Sequence, residues 1–174
     1  MKKQLAVIEG DGIGPEVSRQ SIRVLNSIAE TYGHEFTYQY GLMGAIAIDK
    51  NGNPLPDETI EICRASDAIL FGAIGHPRYD NDPTAKVRPE QGILKLRKSL
   101  ELYANIRPIT TYSSLHHLSP LKSKQLEQAD FIIFRELTGG IYFGEKETND
   151  EGTRASDDCV YTREEIERIT HLAF

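Results

Sequence analysis

The 174-residue chain lacks a long apolar run, has few cysteines and carries no excess of positive charge. Behind Lys2 and Lys3 the apolar stretch is only Leu5 to Ile8, short of the roughly seven residues of a secretion signal, and no window approaches the ~18 that span a bilayer. The expectation is a cytoplasmic protein with no membrane contact. The two cysteines, Cys63 and Cys159, have neither CxxC spacing nor a nearby His pair. Reduced thiols are therefore expected in place of a disulfide or a metal site. Twenty Lys and Arg against 26 Asp and Glu leave a net charge of −6, which excludes a general affinity for nucleic acid and makes any anion site local. Internal repeats and low-complexity tracts are also absent.

What is present is a globular composition, 39% hydrophobic and 26% charged, in a length that allows one domain or a small pair. Leu5 to Ile8 reads as a buried strand that turns at Gly10-Asp11-Gly12-Ile13-Gly14 into a helix opening at Pro15, with Glu16 on the positive end of its dipole. Val17, Ile22, Val24, Leu25 and Ile28 are expected to face inward, and Phe36 to Tyr40 alternate as a second strand. Asn51 to Pro54 is a turn, Asp57 is placed to cap a short helix with Ile60, Ile62 and Cys63, and Ala68 to Phe71 reads as a third, buried strand. Gly72 to Glu90 has no periodicity, and loops of that length are usually functional or disordered. Glu90 opens a helix with Ile93, Leu94, Leu96, Leu100 and Tyr103 on its apolar face, followed by extended Ile106 to Ile109. Ala129 to Arg135 reads as a buried strand, Gly140 to Gly144 as a short one, and Glu145 to Asp158 as a solvated hairpin or arm. Thr162 and Glu165 form a capping box for a helix carrying Ile166, Ile169, Leu172 and Ala173. That helix reaches Phe174 in mid-pattern, so the natural chain is expected to continue.

The glycine-rich turn invites comparison with a dinucleotide fingerprint, but its third Gly comes one residue early and Phe36 to Gly41 holds no acidic residue for a ribose, so the ordinary Rossmann reading fails. The turn stands between a tight strand-to-helix connection and a close ligand approach. Lys86, Arg88, Lys95, Arg97, Lys98 and Arg107 against Glu90 and Glu101 make a local charge of +4. Most of these fit a solvated helix face. Arg97 and Arg107 bracket the helix and its extended exit, and Arg135 ends an apolar strand. Three planar forks converging would suit a substrate with two carboxylates.

Four segments in order resemble one family. They are Gly-Asp-Gly-Ile-Gly-Pro-Glu at 10–16, Arg-Pro-Glu-Gln-Gly-Ile-Leu at 88–94 running into Leu96-Arg97-Lys98, Tyr-Ala-Asn-Ile-Arg-Pro at 103–108, and Arg-Glu-Leu-Thr-Gly-Gly-Ile-Tyr-Phe-Gly at 135–144. The chain is similar along its whole length to the isocitrate/isopropylmalate dehydrogenases, the β-decarboxylating dehydrogenases, and most of all to their leucine-biosynthesis branch. The resemblance implies that family's non-Rossmann α/β fold, incomplete here. Residues 1–100 would be the N-terminal part of a first, cofactor-side domain and 101–174 the beginning of a second, substrate and dimer domain.

It also implies NAD-dependent oxidation of the 2-hydroxyl of 3-isopropylmalate, with loss of the 3-carboxylate to give 4-methyl-2-oxopentanoate, assisted by Mg²⁺ or Mn²⁺. Arg97, Arg107 and Arg135 would hold the substrate carboxylates, Ile93 would suit the isopropyl group, and Tyr142 would be the catalytic tyrosine that protonates the enol. Ile13, His76, Pro77, Tyr79, Asp80, Arg88, Pro89 and Glu90 would form the nicotinamide side of the cofactor site. His76 stands where many relatives have Gly, Tyr79 replaces a common Trp, and Ile93 a common Leu. The catalytic Lys, the metal-binding aspartates and the adenosine loop of the family lie beyond position 174, so this chain alone is expected to be inactive, with a homodimer expected of the complete enzyme. A noncatalytic dicarboxylate-binding module, or a dimer-forming remnant pairing through Glu145 to Asp158, is the competing reading.

Overall fold

Alternating strand and helix patterns, each too short to bury its apolar side alone, become βα units in the first half of the chain. In the computed structural model, which describes residues 1–82, 84–127 and 129–174, the chain divides into two units, Met1–Leu100 and Glu101–Phe174.

The first unit is built from β1 (Lys2–Gly10), α1 (Gly14–Tyr32), β2 (Glu35–Tyr40), α2 (Ala45–Asn51), α3 (Asp57–Arg64), β3 (Ala68–Ala73), α4 (Pro77–Asp80) and α5 (Pro89–Ser99). The strands are parallel in the order β2-β1-β3, so Leu5 lies opposite both Tyr38 and Ala68. At the amino edge of this sheet Lys2 pairs with Glu35 and Lys3 with Asp67, each at 2.6 Å. Ala6, Ile8, Met43, Leu55, Ile60, Cys63 and Leu96 form the core. Both thiols are free, and burial pushes that of Cys63 up.

Helix α1 comes close to β3 because neither partner has bulk at the contact. A Cβ on Gly72 would lie 2.8 Å from the Ser18 hydroxyl and 3.0 Å from the Gly14 Cα. This contact selects one of two apolar stripes on the helix: Ile22 and Leu25 are half-buried, whereas Val17, Val24 and Ile28, expected inside, are exposed. Strand β3 is also not the buried strand expected from Ala68 to Phe71. It pairs only with β1, and Phe71 is exposed. Helix α2 has no counterpart in the sequence reading, which saw only the turn after it. Pro56, not Asp57, is the N-cap of α3; Asp57 sits in the first turn and accepts a hydrogen bond from Lys95 at 3.0 Å. The aperiodic loop after β3 contains the one-turn α4, and Pro83 lies outside the described residues. Helix α5 begins one residue before Glu90, with Arg88 as N-cap, whose amide donates to Gln91 Oε1 at 3.1 Å, and ends at Ser99, which leaves Tyr103 off its face.

The second unit contains β4 (Ala104–Thr110), a 3₁₀ segment (Ser113–Leu118), α6 (Ser123–Leu126), β5 (Asp130–Glu136), a 3₁₀ turn (Gly140–Tyr142), β6 (Lys146–Thr148), β7 (Ala155–Asp157) and α7 (Arg163–Ala173). β4 and β5 form an antiparallel pair with Asn105 opposite Arg135, and β6 and β7 form a second. Contrary to the buried strand expected at Ala129 to Arg135, Phe131, Ile132 and Ile133 are exposed, as is Arg135, because β5 has a single strand partner. Gly140 to Gly144 is a 3₁₀ turn and not a strand: Gly140 has φ +72°, and its carbonyl accepts from the amides of Phe143 and Gly144. Thr162 caps α7 through the box with Glu165, as its sequence predicts.

Candidate functional site

In the first unit the carboxyl ends of β1 and β3 are tied together. The Asp11 amide donates to the Ala73 carbonyl at 2.7 Å, and the Asp11 carboxylate accepts from Gly75 N at 3.1 Å, Ala45 N at 2.8 Å and Ile46 N at 3.0 Å. Asp11 is buried, and its anion replaces the partners that the first amides of α2 lack. Gly44, at φ +92°, is required there, since a Cβ would lie 2.3 Å from Asp11 Oδ2.

Among the expected cofactor residues, Ile13 is 62% exposed on the turn, and His76, Pro77 and Asp80 are exposed on the loop with Tyr79 half-buried. Glu90 is exposed, with Oε1 3.3 Å from where a Gly75 Cβ would stand. Two residues have structural duties instead. Arg88 donates to the carbonyls of Tyr79 at 2.8 Å and Asp82 at 2.9 Å, and Pro89 is fully buried. Ile93 is half-buried against the core cluster.

In the second unit Arg107 and Arg135 project from the same face of the β4–β5 ribbon, because Arg135 is opposite Asn105 and Arg107 is two residues further along. Arg107 Nε donates to Asn105 Oδ1. The Tyr142 hydroxyl accepts from Arg135 Nη2 at 3.2 Å, with the guanidinium carbon 5.6 Å from the ring centre. The turn that carries Tyr142 is held by Gly140 N donating to the Val160 carbonyl at 2.8 Å and by Lys146 donating to the Ile141 carbonyl at 3.0 Å. Arg107, Arg135 and Tyr142 are thus neighbours, while Arg97 belongs to the first unit.

The sequence reading missed a polar cluster behind this ribbon. Glu136 Oε2 accepts from the amides of Thr138 and Gly139, both at 2.7 Å, and Oε1 accepts from the Thr138 hydroxyl at 2.8 Å and Arg168 Nη2 at 2.6 Å. Arg168 also donates to the Thr138 hydroxyl and lies over the Tyr103 ring at 4.8 Å. Burial alone pushes the Glu136 carboxyl up, but the Thr138 hydroxyl, Arg168 and the two amides outweigh it and hold it below its usual range. The available signal was Glu-x-Thr-Gly after an apolar strand, the pattern of a carboxylate folding back on its own turn.

For a dinucleotide, the residues of the first unit fit: the Gly12 turn is open, since a Cβ there would meet nothing within 4 Å, and exposed apolar and acidic side chains follow on the tethered loop. For a divalent cation they do not. Among the described residues no three His, Cys, Asp or Glu side chains stand together as a metal ion requires. Nor, among them, is any helix long and apolar enough to cross a membrane.

The chain thus carries a parallel sheet with glycine turns at its carboxyl end in one unit and, in the other, a ribbon with two arginines on one face and a tyrosine on the turn that follows it. Residues 4–174 match the isocitrate/isopropylmalate dehydrogenase family, and the chain belongs to it. It is 53% identical over 174 residues to a 3-isopropylmalate dehydrogenase of Bacteroides fragilis and 49% identical over 178 residues to that of Bacillus subtilis. All of the chain is covered in both comparisons, against 49% and 48% of those proteins, so the chain spans about half the length of the curated relatives it matches. Among solved structures, 97% of the chain superposes on isocitrate dehydrogenase from Methylococcus capsulatus with a TM-score of 0.77 and 27% identity, covering 45% of that chain. A β-decarboxylating dehydrogenase from Thermococcus kodakarensis gives a TM-score of 0.65 at 35% identity, with 97% of this chain and 43% of that one covered.

Proposed function

We propose that this chain supplies the nicotinamide-side loop and part of the carboxylate-binding ribbon of a cytoplasmic enzyme that converts 3-isopropylmalate and NAD⁺ to 4-methyl-2-oxopentanoate, carbon dioxide and NADH. The observation that carries the reading is that Arg107 and Arg135 share one face of the β4–β5 ribbon and that Arg135 holds the Tyr142 hydroxyl of the following turn, within a chain of this family. Arg107 and Arg135 bind the substrate carboxylates. NAD, when bound, accepts hydride from the carbon bearing the 2-hydroxyl. After the carboxylate leaves, Tyr142 Oη delivers a proton toward C3, and Arg135 holds that hydroxyl in place. Ile13, His76, Pro77, Tyr79, Asp80 and Glu90 face the nicotinamide riboside, while Arg88 and Pro89 shape the loop beneath them. Mg²⁺ or Mn²⁺ takes its ligands from outside this chain. The complete enzyme is a homodimer, a reading supported by the β6–β7 arm, all six residues of which are exposed.

Two measurements test this. The purified 174-residue chain, given 3-isopropylmalate, NAD and Mg²⁺ or Mn²⁺, is expected to produce no NADH, because it brings no metal-binding set; metal-dependent turnover would refute the division of labour. In an active chimera, the chain fused to the second half of the Bacteroides fragilis relative, Ile93→Asn is expected to reduce the preference for isopropylmalate over malate. One apolar contact of this kind is worth about 1 to 3 kcal/mol of discrimination. An unchanged ratio of kcat/KM for the two substrates removes Ile93 from the pocket and leaves it as core packing.

A further inference from the structure

The loop assigned to the nicotinamide is held at two points by carboxylates from outside it, Asp11 and Asp49. At one end Gly75 N donates to Asp11, whose carboxylate also takes the first two amides of α2. At the other end of α2, Asp49 accepts from Arg78 Nη2 at 2.5 Å and from the Tyr79 hydroxyl at 3.4 Å. Arg78 also donates to that hydroxyl at 3.0 Å and lies 4.8 Å from the Tyr79 ring centre. Helix α2 is seven residues long, about two turns, so its two ends reach two points of one short loop. The loop can leave this position only by giving up hydrogen bonds at both ends, or by taking α2 with it. A Trp at 79 would keep a ring beside Arg78 but supply no oxygen for Arg78 and no donor in the hydroxyl's place, so the closed triangle of Asp49, Arg78 and Tyr79 depends on the tyrosine found here.

We propose that Asp11 and Asp49 make α2 a clasp for the Gly75–Asp80 loop, with Asp49 a positioning residue that sets dinucleotide affinity through Arg78 and Tyr79. This rests on the cofactor reading of the loop given above. Arg88, donating to the carbonyls of Tyr79 and Asp82, completes the restraint.

The test uses the ¹⁵N-labelled 174-residue chain, amide hydrogen exchange, and titration with nicotinamide mononucleotide. The amides of Gly75, Tyr79 and Asn81 are all hydrogen-bonded and report on the loop. Asp49→Asn is expected to speed exchange at Tyr79 and Asn81 about two- to fivefold, the scale of one exposed ion pair. It should also weaken mononucleotide binding by a similar factor. The paired exchange Asp49→Arg with Arg78→Asp should restore slow exchange, which loss of helix packing would not allow. Asp11→Asn should speed exchange at Gly75 about tenfold or more, since a buried acceptor is lost; Asp49→Asn decides the matter where that variant fails to fold. Unchanged exchange in Asp49→Asn, or no recovery in the paired exchange, overturns the clasp. Faster exchange with unchanged mononucleotide affinity overturns the positioning role. If the mononucleotide shifts no loop amide in the unmodified chain, the cofactor reading fails and the positioning role with it, whatever the exchange rates show.

Discussion

Tyr142→Phe, made in the active chimera, is expected to lower kcat by about 10²- to 10⁴-fold, the usual contribution of a placed general acid, while KM for isopropylmalate and the melting temperature stay near those of the parent. The structure sharpens the contrast between a catalytic and a packing role. Tyr142 is 51% exposed, and its hydroxyl meets Arg135 and not a backbone acceptor. A tyrosine kept for packing would bury its ring, and its hydroxyl would contribute about 1 kcal/mol of hydrogen bonding at most. Removing this oxygen should therefore cost little stability. A kcat within twofold of the parent would end the catalytic assignment and leave Tyr142 as a spacer for Arg135.

Glu136→Gln carries the largest expected effect on stability. The carboxylate accepts four hydrogen bonds, and only 7% of its side-chain surface is exposed. A glutamine offers one acceptor oxygen and turns an NH₂ toward donors, so about 1 to 3 kcal/mol should be lost. The pH dependence has a definite sign. The folded-state pKa lies below that of the unfolded chain, about 4.3, so the stabilisation is complete above that value and disappears as pH falls through the folded pKa. Thermal melts between pH 7 and pH 3 should converge for the parent and the variant at the acid end. Parallel melting curves over that range would show that the Glu136 charge does not tie α7 to β5.

Elements whose signal is local were readable in advance. The turn at Gly10–Gly14, the capping box at Thr162, the extended segment ending in Arg107-Pro108-Ile109 and the hairpin after Glu145 all follow from residues within a few positions of one another. The errors arose where burial depends on distant partners. Phe131, Ile132 and Ile133 carry the composition of a buried strand, yet β5 has one neighbour and stays open. Val17 and Ile28 lost to a stripe chosen by Gly72 and Ser18, a contact fixed by small atoms 54 positions apart. Motif order singles out Arg107, Arg135 and Tyr142, of which the fold brings Arg135 and Tyr142 into contact, whereas Asp11, Asp49, Glu136 and Arg168 carry no such signal. Each acts through backbone amides or ions brought near by the fold, and a short polar residue in a glycine turn or on an exposed helix has no periodicity to reveal that duty.

The two edges of the β2-β1-β3 sheet differ in how they can change over evolutionary time. The amino edge is closed by side-chain pairs, Lys2 with Glu35 and Lys3 with Asp67, each of which constrains its partner's replacement. All three carboxyl ends lead into glycine-containing connections, at Gly10, Gly41 and Gly72 to Gly75, held by backbone hydrogen bonds together with one buried side chain, the Asp11 carboxylate. A replacement at the amino edge therefore calls for a matching change in its ion-pair partner, whereas at the carboxyl end Asp11 is the side chain that cannot be replaced alone, and Ile13, 62% exposed on its turn, can be exchanged without disturbing the sheet.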